Sequence, residues 1–343
     1  MIHPWNQARF QQLMADRGRM PHALLLHGPA GVGKLDLALE MAKALLCETP
    51  EAGRACGACD ACNWFEQGNH PDFRLYQPDQ QEGEGEGAGA EATEAEEGAP
   101  AKGGKRAMPL IKVGVVRELT RFTQLSTHRG GWRVALIQPA EAMNSEAANA
   151  LLKTLEEPPA GVLLILVSHQ LGRLLPTVVS RCRQVHVGLP DRAQALAWLR
   201  GMEVEGAEAL LAEAGGAPLV ALAFADPERS TQREAFLDQL ADWRRLDVCA
   251  VAQAFKAQHS EAWGWLLRWV LDALSQRLAG QPRYFPDRAE QTARVGQGAD
   301  LAALLALQRE LLAAGRWLRH PLQTQLLLES WLIRYVQTAG ARP

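Results

Sequence analysis

The stretch Gly28-Pro29-Ala30-Gly31-Val32-Gly33-Lys34-Leu35 decides how this chain is read. It follows the apolar run Ala23-Leu24-Leu25-Leu26 and opens an apolar-periodic segment over residues 37–46. Strand, glycine-rich turn and helix, in that order, are what a phosphate-binding P-loop requires. Gly28, Gly31 and Gly33 let backbone N–H groups turn inward, toward a helix N-terminus that already favours anions. Lys34 is placed to reach the terminal phosphates. The next residue of a working loop is Ser or Thr, whose hydroxyl ligates Mg²⁺. Here it is Leu35, and an isobutyl group coordinates no metal. A glycine-rich turn with an incidental lysine does not account for the strand before and the helix after. The loop reads as a nucleotide site that lacks one chemical part, and nucleotide binding by this chain is doubtful.

Further along, Trp132-Arg133-Val134-Ala135-Leu136-Ile137 reads as a second parallel strand. In a P-loop ATPase it would end in two acids, one for the Mg²⁺ shell and one to polarise the attacking water. The sequence offers Gln138 and Pro139, and Glu141 beyond them reads as an ordinary helix-start acid. A helix over 145–157 carries Leu151-Leu152-Lys153-Thr154-Leu155-Glu156-Glu157 and stops at Pro158-Pro159. The apolar run 162–167 is a strand ending at Ser168, where a polar group would sit beside a γ-phosphate. A short helix over 174–179, the triplet Ser180-Arg181-Cys182 and a last strand over 184–187 follow. With an opening helix over 4–16, the pattern predicts an α/β domain built on a parallel sheet.

Between these elements lie Cys47 and the run Cys56-Gly57-Ala58-Cys59-Asp60-Ala61-Cys62. Four thiolates at these spacings can surround one tetrahedral ion, with small residues allowing the turn between ligands. Buried or incidental thiols are the plainer reading, but three cysteines at intervals of three with a fourth nearby point to a metal. Iron–sulfur competes, since C-x₂-C-x₂-C occurs in ferredoxins; the missing Cys-Pro and the intervening Asp60 favour zinc. A four-sulfur site has no open position, so its role is structural. His70 is a possible substitute ligand, but it reads better as capping the turn at 69–72. From about 78 to 106 the chain is Gly, Ala and Glu with almost no large apolar residue, which predicts a disordered surface insertion. Arg117 and Arg121 lie four apart on one face of a helix over 114–125, a solvated face before it is a DNA-facing one.

At 343 residues the chain holds two or three domains, and 47% apolar with 22% charged residues is ordinary globular composition. No apolar run approaches a membrane span, and the N-terminus does not read as a secretion signal. Isolated Cys182 and Cys249 beside the cluster fit a reducing cytoplasm better than a disulfide framework. The net charge of −3 conceals eight acids between Asp79 and Pro100; without them the chain carries +5. That permits contact with nucleic acid without arguing for it.

Gly28–Lys34, the four cysteines, the run from Leu151 to Pro159 and Ser180-Arg181-Cys182 together resemble the clamp-loader branch of the AAA+ ATPases, the subunits that serve bacterial DNA polymerase III. The resemblance covers residues 1 to about 225 and, more weakly, the helical remainder. The P-loop is common to many enzymes; the Leu-Lys-Thr-Leu-Glu-Glu-Pro-Pro run with Ser-Arg-Cys is far more specific. The resemblance implies an AAA+ domain over 1–189, with a zinc module at about 47–75 and the insertion inside it. A helical lid over 190–226 and an all-α collar over 227–343, joining five subunits in a ring, would follow. In the family a lid helix starts Gly-Ser-x-Arg, its arginine sensing the γ-phosphate. The matching residues here are Gly216, Ala217, Pro218 and Leu219.

Leu35, Gln138, Pro139 and Leu219 depart from the working ATPase pattern as the non-hydrolysing kind of subunit does. The resemblance then implies that Arg181 acts in trans, on ATP bound by a neighbouring gamma/tau-type ATPase subunit. Partners would be that subunit, a delta-type subunit and, through the ring, the sliding clamp and primed DNA. A catalytically active sister subunit is the enzyme alternative. A zinc nucleic-acid-binding repair factor explains the cysteines but neither the P-loop nor Ser-Arg-Cys. Beyond residue 227 the periodicity is helical, over 232–246, 260–278, 301–318 and 322–336. Trp263, Leu266, Leu267, Val270 and Leu274 form a core-facing stripe.

Overall fold

A computed structural model describes residues 2–15, 17–78, 110–128, 131–315, 318 and 323–340. Most of the expected insertion at 78–106 lies outside the described residues. The chain divides into two compact units, Met1–Leu189 and Pro190–Pro343.

The first unit opens with helix α1 (Gln7–Met14), strand β1 (Ala23–His27) and helix α2 (Lys34–Leu46). Helix α3 (Asp60–Glu66), strand β2 (Phe73–Tyr76), helix α4 (Val113–Gln124) and strand β3 (Arg133–Ile137) follow. Helix α5 (Ser145–Glu156), strand β4 (Val162–Ser168), the single-turn α6 (Pro176–Val179) and strand β5 (Arg183–His186) complete it. All strand pairs are parallel, in the order β2-β3-β4-β1-β5. The α/β expectation holds.

The three central strands are apolar almost without interruption because helices cover both faces of the sheet. Leu24, Leu26, Val134, Leu136, Leu163 and Ile165 point to the face shared with Phe10, Leu37 and Met41. Leu25, Ala135, Ile137, Leu164 and Leu166 point to the other, against Leu119, Leu151 and Val178. β1 is flanked by β4 and β5, with Leu25 opposite Leu166 and Gln184. The P-loop therefore leaves the middle of the sheet at the strand ends where open α/β sheets bind ligands.

The second unit begins with α7 (Arg192–Gly201), α8 (Ala207–Glu213) and α9 (Pro218–Ala223), whose small core is Ala195, Leu199, Leu211 and Ala221. Asp191 caps α7, accepting the Ala193 N–H at 2.9 Å. Next come α10 (Pro227–Ala241), α11 (Val248–Ala254), α12 (His259–Ala279), α13 (Ala289–Gly298), α14 (Leu301–Ala314) and α15 (Thr324–Gly340).

Helix α12 is the hub of this second unit. Leu266, Val270 and Leu274 are buried as the periodicity predicts, whereas Trp263 and Leu267 are only partly covered. Trp265 and Trp269, off that stripe, are fully buried. The apolar stripe was too narrow a reading, because partners surround α12 on several sides. Helices α11 and α13 went unread: the first is short, and the second carries two glycines. Gly296 serves close packing, since a Cβ there would stand 2.2 Å from the Ala273 carbonyl oxygen of α12.

Candidate functional site

Three sites of the first unit answer to the sequence reading, and the P-loop is the central one. Gly28 has φ of +147°, and a Cβ there would lie 2.1 Å from the Val187 carbonyl oxygen at the exit of β5. Only glycine fits so tight a passage in that backbone region. Gly31 and Gly33 are left-handed, and Gly33 caps α2. Lys34 begins that helix, buried, with Nζ donating to the carbonyls of Gly28 at 2.8 Å and Pro29 at 2.5 Å. Burial pulls its pKa down to about 8, against the Glu141 charge that supports the ammonium. The N-terminal segment braces the loop: Trp5 Nε1 and Asn6 Nδ2 donate to the Val32 carbonyl at 3.0 and 2.9 Å.

The parts that would hold a metal are occupied differently. Leu35 packs partly buried against the core. The Gln138 side-chain oxygen accepts from Gln77 Nε2 at 2.6 Å. Ser168 is fully buried at the end of β4, where its hydroxyl accepts the Gln170 N–H at 3.2 Å. Glu141 needs correction: it is more than an ordinary helix-start acid. Its Oε1 accepts the His169 N–H at 2.9 Å, tying the end of β3 to the end of β4. Its Oε2 is buried without a hydrogen-bond partner among the described residues.

Two imidazoles, those of His27 and His169, feel the charge of the lysine, a feature that residue spacing did not announce. His27 at the end of β1 lies 5.3 Å from His186 at the end of β5, centroid to centroid. Burial, then the His186 and Lys34 charges, hold the His27 pKa below its ordinary value. Burial and Lys34 do the same to His169, against Glu141. His27 and His186 come together because β1 and β5 pair in parallel register, a consequence of sheet order that separated positions do not display.

The second site is the cysteine group. Cys47 closes α2, Cys59 caps α3, and Cys62 lies in the first turn of α3. With Cys56 their sulfurs lie within 4.8 Å of one another. Cys47 Sγ is 3.9 Å from Cys59 Sγ, and Cys56 Sγ is 4.0 Å from Cys62 Sγ. A tetrahedron of sulfurs about one zinc has edges of roughly 3.8 Å, so the donor set fits a metal. Backbone N–H groups point at sulfur: Cys56 to Cys47 at 3.3 Å, and Ala58 and Cys59 to Cys56 at 3.5 and 3.4 Å. The Thr49 side chain and then the Ala58 and Cys59 N–H groups lower the Cys56 thiol to about 6, while burial pushes Cys62 up to about 12. His70 lies outside the cysteine group, its Nδ1 accepting the Asp72 N–H at 3.0 Å, as the turn reading expects.

Asp72 was missed as anything but a turn residue. It is buried against Arg133, with NH2 2.6 Å from Oδ1, and it accepts the His128 N–H at 3.0 Å. Arg133 also donates to the carbonyls of Phe122, at 2.8 Å, and Ser126. This pair joins the turn after α3 to the start of β3.

The third site is the corner between α6 and β5. Arg181 is partly exposed there; NH1 donates to the Thr177 carbonyl at 3.0 Å and NH2 to Glu156 Oε1 at 2.5 Å. Arg183 is exposed within β5. In the second unit, Pro218 and Leu219 begin α9, so Leu219 stands at a helix start where the resemblance looked for a sensing arginine.

Comparison with known proteins agrees with this geometry. The family described as "DNA polymerase III, delta subunit" matches residues 5–190, and "DNA polymerase III, delta subunit, C terminal" matches residues 227–337. DNA polymerase III subunit delta prime of Pseudomonas aeruginosa is 35% identical over 99% of this chain and 98% of its own length. The Escherichia coli subunit delta prime is 31% identical over 80% of this chain and 76% of its own. The Escherichia coli subunit tau is 34% identical over 52% of this chain but only 23% of its own length. The two family matches fall on the parallel-sheet unit and on the helical region that follows it. This chain belongs to the family of DNA polymerase III delta prime subunits.

Proposed function

We propose that the chain is the non-hydrolysing member of a clamp-loading ring, helping to place the sliding clamp on primed DNA. The observation that carries this reading is the disparity between a well-formed loop and its missing chemistry. The glycines and Lys34 hold P-loop geometry, yet Leu35 packs into the core and Gln138 is engaged by Gln77. Mg²⁺ therefore lacks both of the protein contacts a P-loop ATPase supplies. Pro139 and Leu219 remove the polarising acid and the sensing arginine.

Arg181 is the residue with chemistry to offer another subunit. Hydrolysis builds charge around the γ-phosphate, and a guanidinium stabilises it with planar donors and a permanent positive charge. The neighbour would be a gamma/tau-type ATPase subunit, with a delta-type subunit also in the ring and a cytoplasmic place of work. Cys47, Cys56, Cys59 and Cys62 would hold a structural zinc, which contributes folding energy when bound. Gly28, Gly31, Gly33 and Lys34 form a vestigial nucleotide site.

ATP turnover by the chain alone, then in the reconstituted ring, tests the reading. The chain alone should hydrolyse no ATP above background, with or without primed DNA. Turnover by partner-free protein would make it an active sister subunit instead.

A further inference from the structure

We propose that Glu156 is a positioning residue for Arg181: its carboxylate fixes the direction in which the guanidinium leaves the surface and gives it up when phosphate arrives. The proposal rests on the trans-acting reading of Arg181 above and adds a residue to it.

The placement of Glu156 is unfavourable for the helix that carries it. It is the last residue of α5, and Glu157 follows as the C-cap. The C-terminal end of a helix presents unpaired carbonyls and a partial negative charge, so acids there are disfavoured and cations favoured. Lys153 already lies in that last turn, but two adjacent acids there favour a further cation. Arg181, 25 residues away in sequence, supplies one at 2.5 Å from Glu156 Oε1. The same guanidinium donates to the Thr177 carbonyl in α6 at 3.0 Å. One rigid fork is thus held between two helices, which sets its plane as well as its position. Two of the five N–H donors of an arginine are used in these bonds.

Exposure decides what such a contact can do. The Arg181 side chain is 35% exposed and the Glu156 side chain 50%. An ion pair this open contributes little to stability, so opening it costs little. A nucleotide phosphate carries more charge than one carboxylate and offers bidentate acceptors to the same fork. Glu156 therefore aligns the arginine before the ring closes on ATP and loses it to the phosphate without a large barrier. A deeply buried partner would hold the arginine back. An unpaired long side chain would have to be ordered at the moment of reaction.

The test uses the whole ring, reconstituted with its ATPase subunits, sliding clamp and primed DNA. Wild type is compared with Glu156→Ala, Glu156→Gln, Arg181→Ala and the double variant Arg181→Ala/Glu156→Ala. Assembly is checked by gel filtration, and kcat and KM for ATP are read separately. Glu156→Ala should lower kcat roughly three- to tenfold with KM unchanged, and Glu156→Gln, which keeps an acceptor, should lose less. In the Arg181→Ala background the second substitution should cost nothing further, because nothing remains to be positioned. An additive loss there, or a failure to assemble, would make Glu156 a structural residue and end the proposal. Raised kcat in Glu156→Ala would also overturn it, identifying a restraint rather than a guide. If Arg181→Ala slows the ring and Glu156→Ala does not, positioning fails and the trans-acting arginine stands. If Arg181→Ala leaves the ring unchanged, both fail.

Discussion

At the scale of single residues, the chemistry of this chain is decided by a few substitutions against a conventional background. Leu35 packs partly buried against the core and offers no oxygen, and the neutral Gln138 side-chain oxygen is engaged by Gln77. Under the proposed function, Arg181 offers its guanidinium donors to a partner's site. Arg181→Ala should assemble normally and lower ATP hydrolysis at the site it faces on the order of 10³-fold, seen in total turnover as the loss of that site's share. Arg181→Lys keeps charge without the planar fork and should recover only part of the rate. Arg183→Ala is the control, since that side chain sits in the strand and should matter less. Equal turnover of wild-type and Arg181→Ala rings at saturating ATP would remove the trans-acting role.

The histidines give a second test at this scale. His27 and His169 have pKa values below the ordinary imidazole value, so the folded state disfavours their protonation. Stability from this source is present above the unfolded pKa near 6.5 and is lost as pH falls below it. Urea midpoints between about pH 7.5 and 5 should therefore fall with pH. The fall should be smaller in the His27→Gln/His169→Gln variant. Identical acid profiles for the two proteins would show that these rings carry none of it.

At the scale of elements, the cysteine module explains how a short helix persists beside the sheet. Helix α3 has seven residues, too few to stand alone in water. It is held by its N-terminal cysteines, by Lys43 of α2 at 2.5 Å from Glu66, and by the Asp72–Arg133 pair at its exit. Purified protein should carry about one zinc per chain by elemental analysis. Cys59→Ser should raise hydrogen exchange across residues 47–72 and leave β1 and β4 protected, because the sheet has its own core on both faces. Iron in place of zinc would refute the metal assignment. Loss of protection throughout the unit would show that the metal holds the whole domain.

At the scale of the whole molecule, each unit has its own apolar core, and the second also depends on a buried charge network. Glu213 at the end of α8 is fully buried. It accepts from Arg229 at 2.5 Å, Arg233 at 2.7 Å and Trp265 at 3.1 Å, joining the three small helices to α10 and the hub helix. Removing one partner of a buried pair costs about 3–5 kcal/mol where nothing else compensates the charge; here Asp287, 3.0 Å from Arg233, and Glu261, 3.5 Å from Arg229, cover part of it. Glu213→Ala should therefore lower the unfolding midpoint of the second unit and leave that of the first unchanged. A variant within experimental error of wild type would mean that water satisfies the two arginines. Among the described residues no helix is long and apolar enough to cross a membrane.

What the sequence alone determined is whatever depends on local order along the chain. Strand, glycine turn and helix around Lys34, the cysteine spacing, the proline stop after Glu157 and the Asp191 cap are set by neighbouring residues, and they were legible without coordinates. The missing metal chemistry at Leu35 was legible for the same reason, since it needs only the residue beside Lys34. Tertiary structure alone decided which distant residues meet. The parallel register of β1 and β5 sets His27 opposite His186, and the fold brings His27 and His169 within the electrostatic reach of Lys34. Tertiary structure likewise gives the helix-start acid Glu141 a distant partner, the His169 N–H, and lets its charge support the Lys34 ammonium. The same holds for Asp72 with Arg133, for Glu213 with its arginines, and for Glu156 with Arg181. A charge is legible in a sequence, but its partner is not, because electrostatic pairing acts through space and leaves no period along the chain.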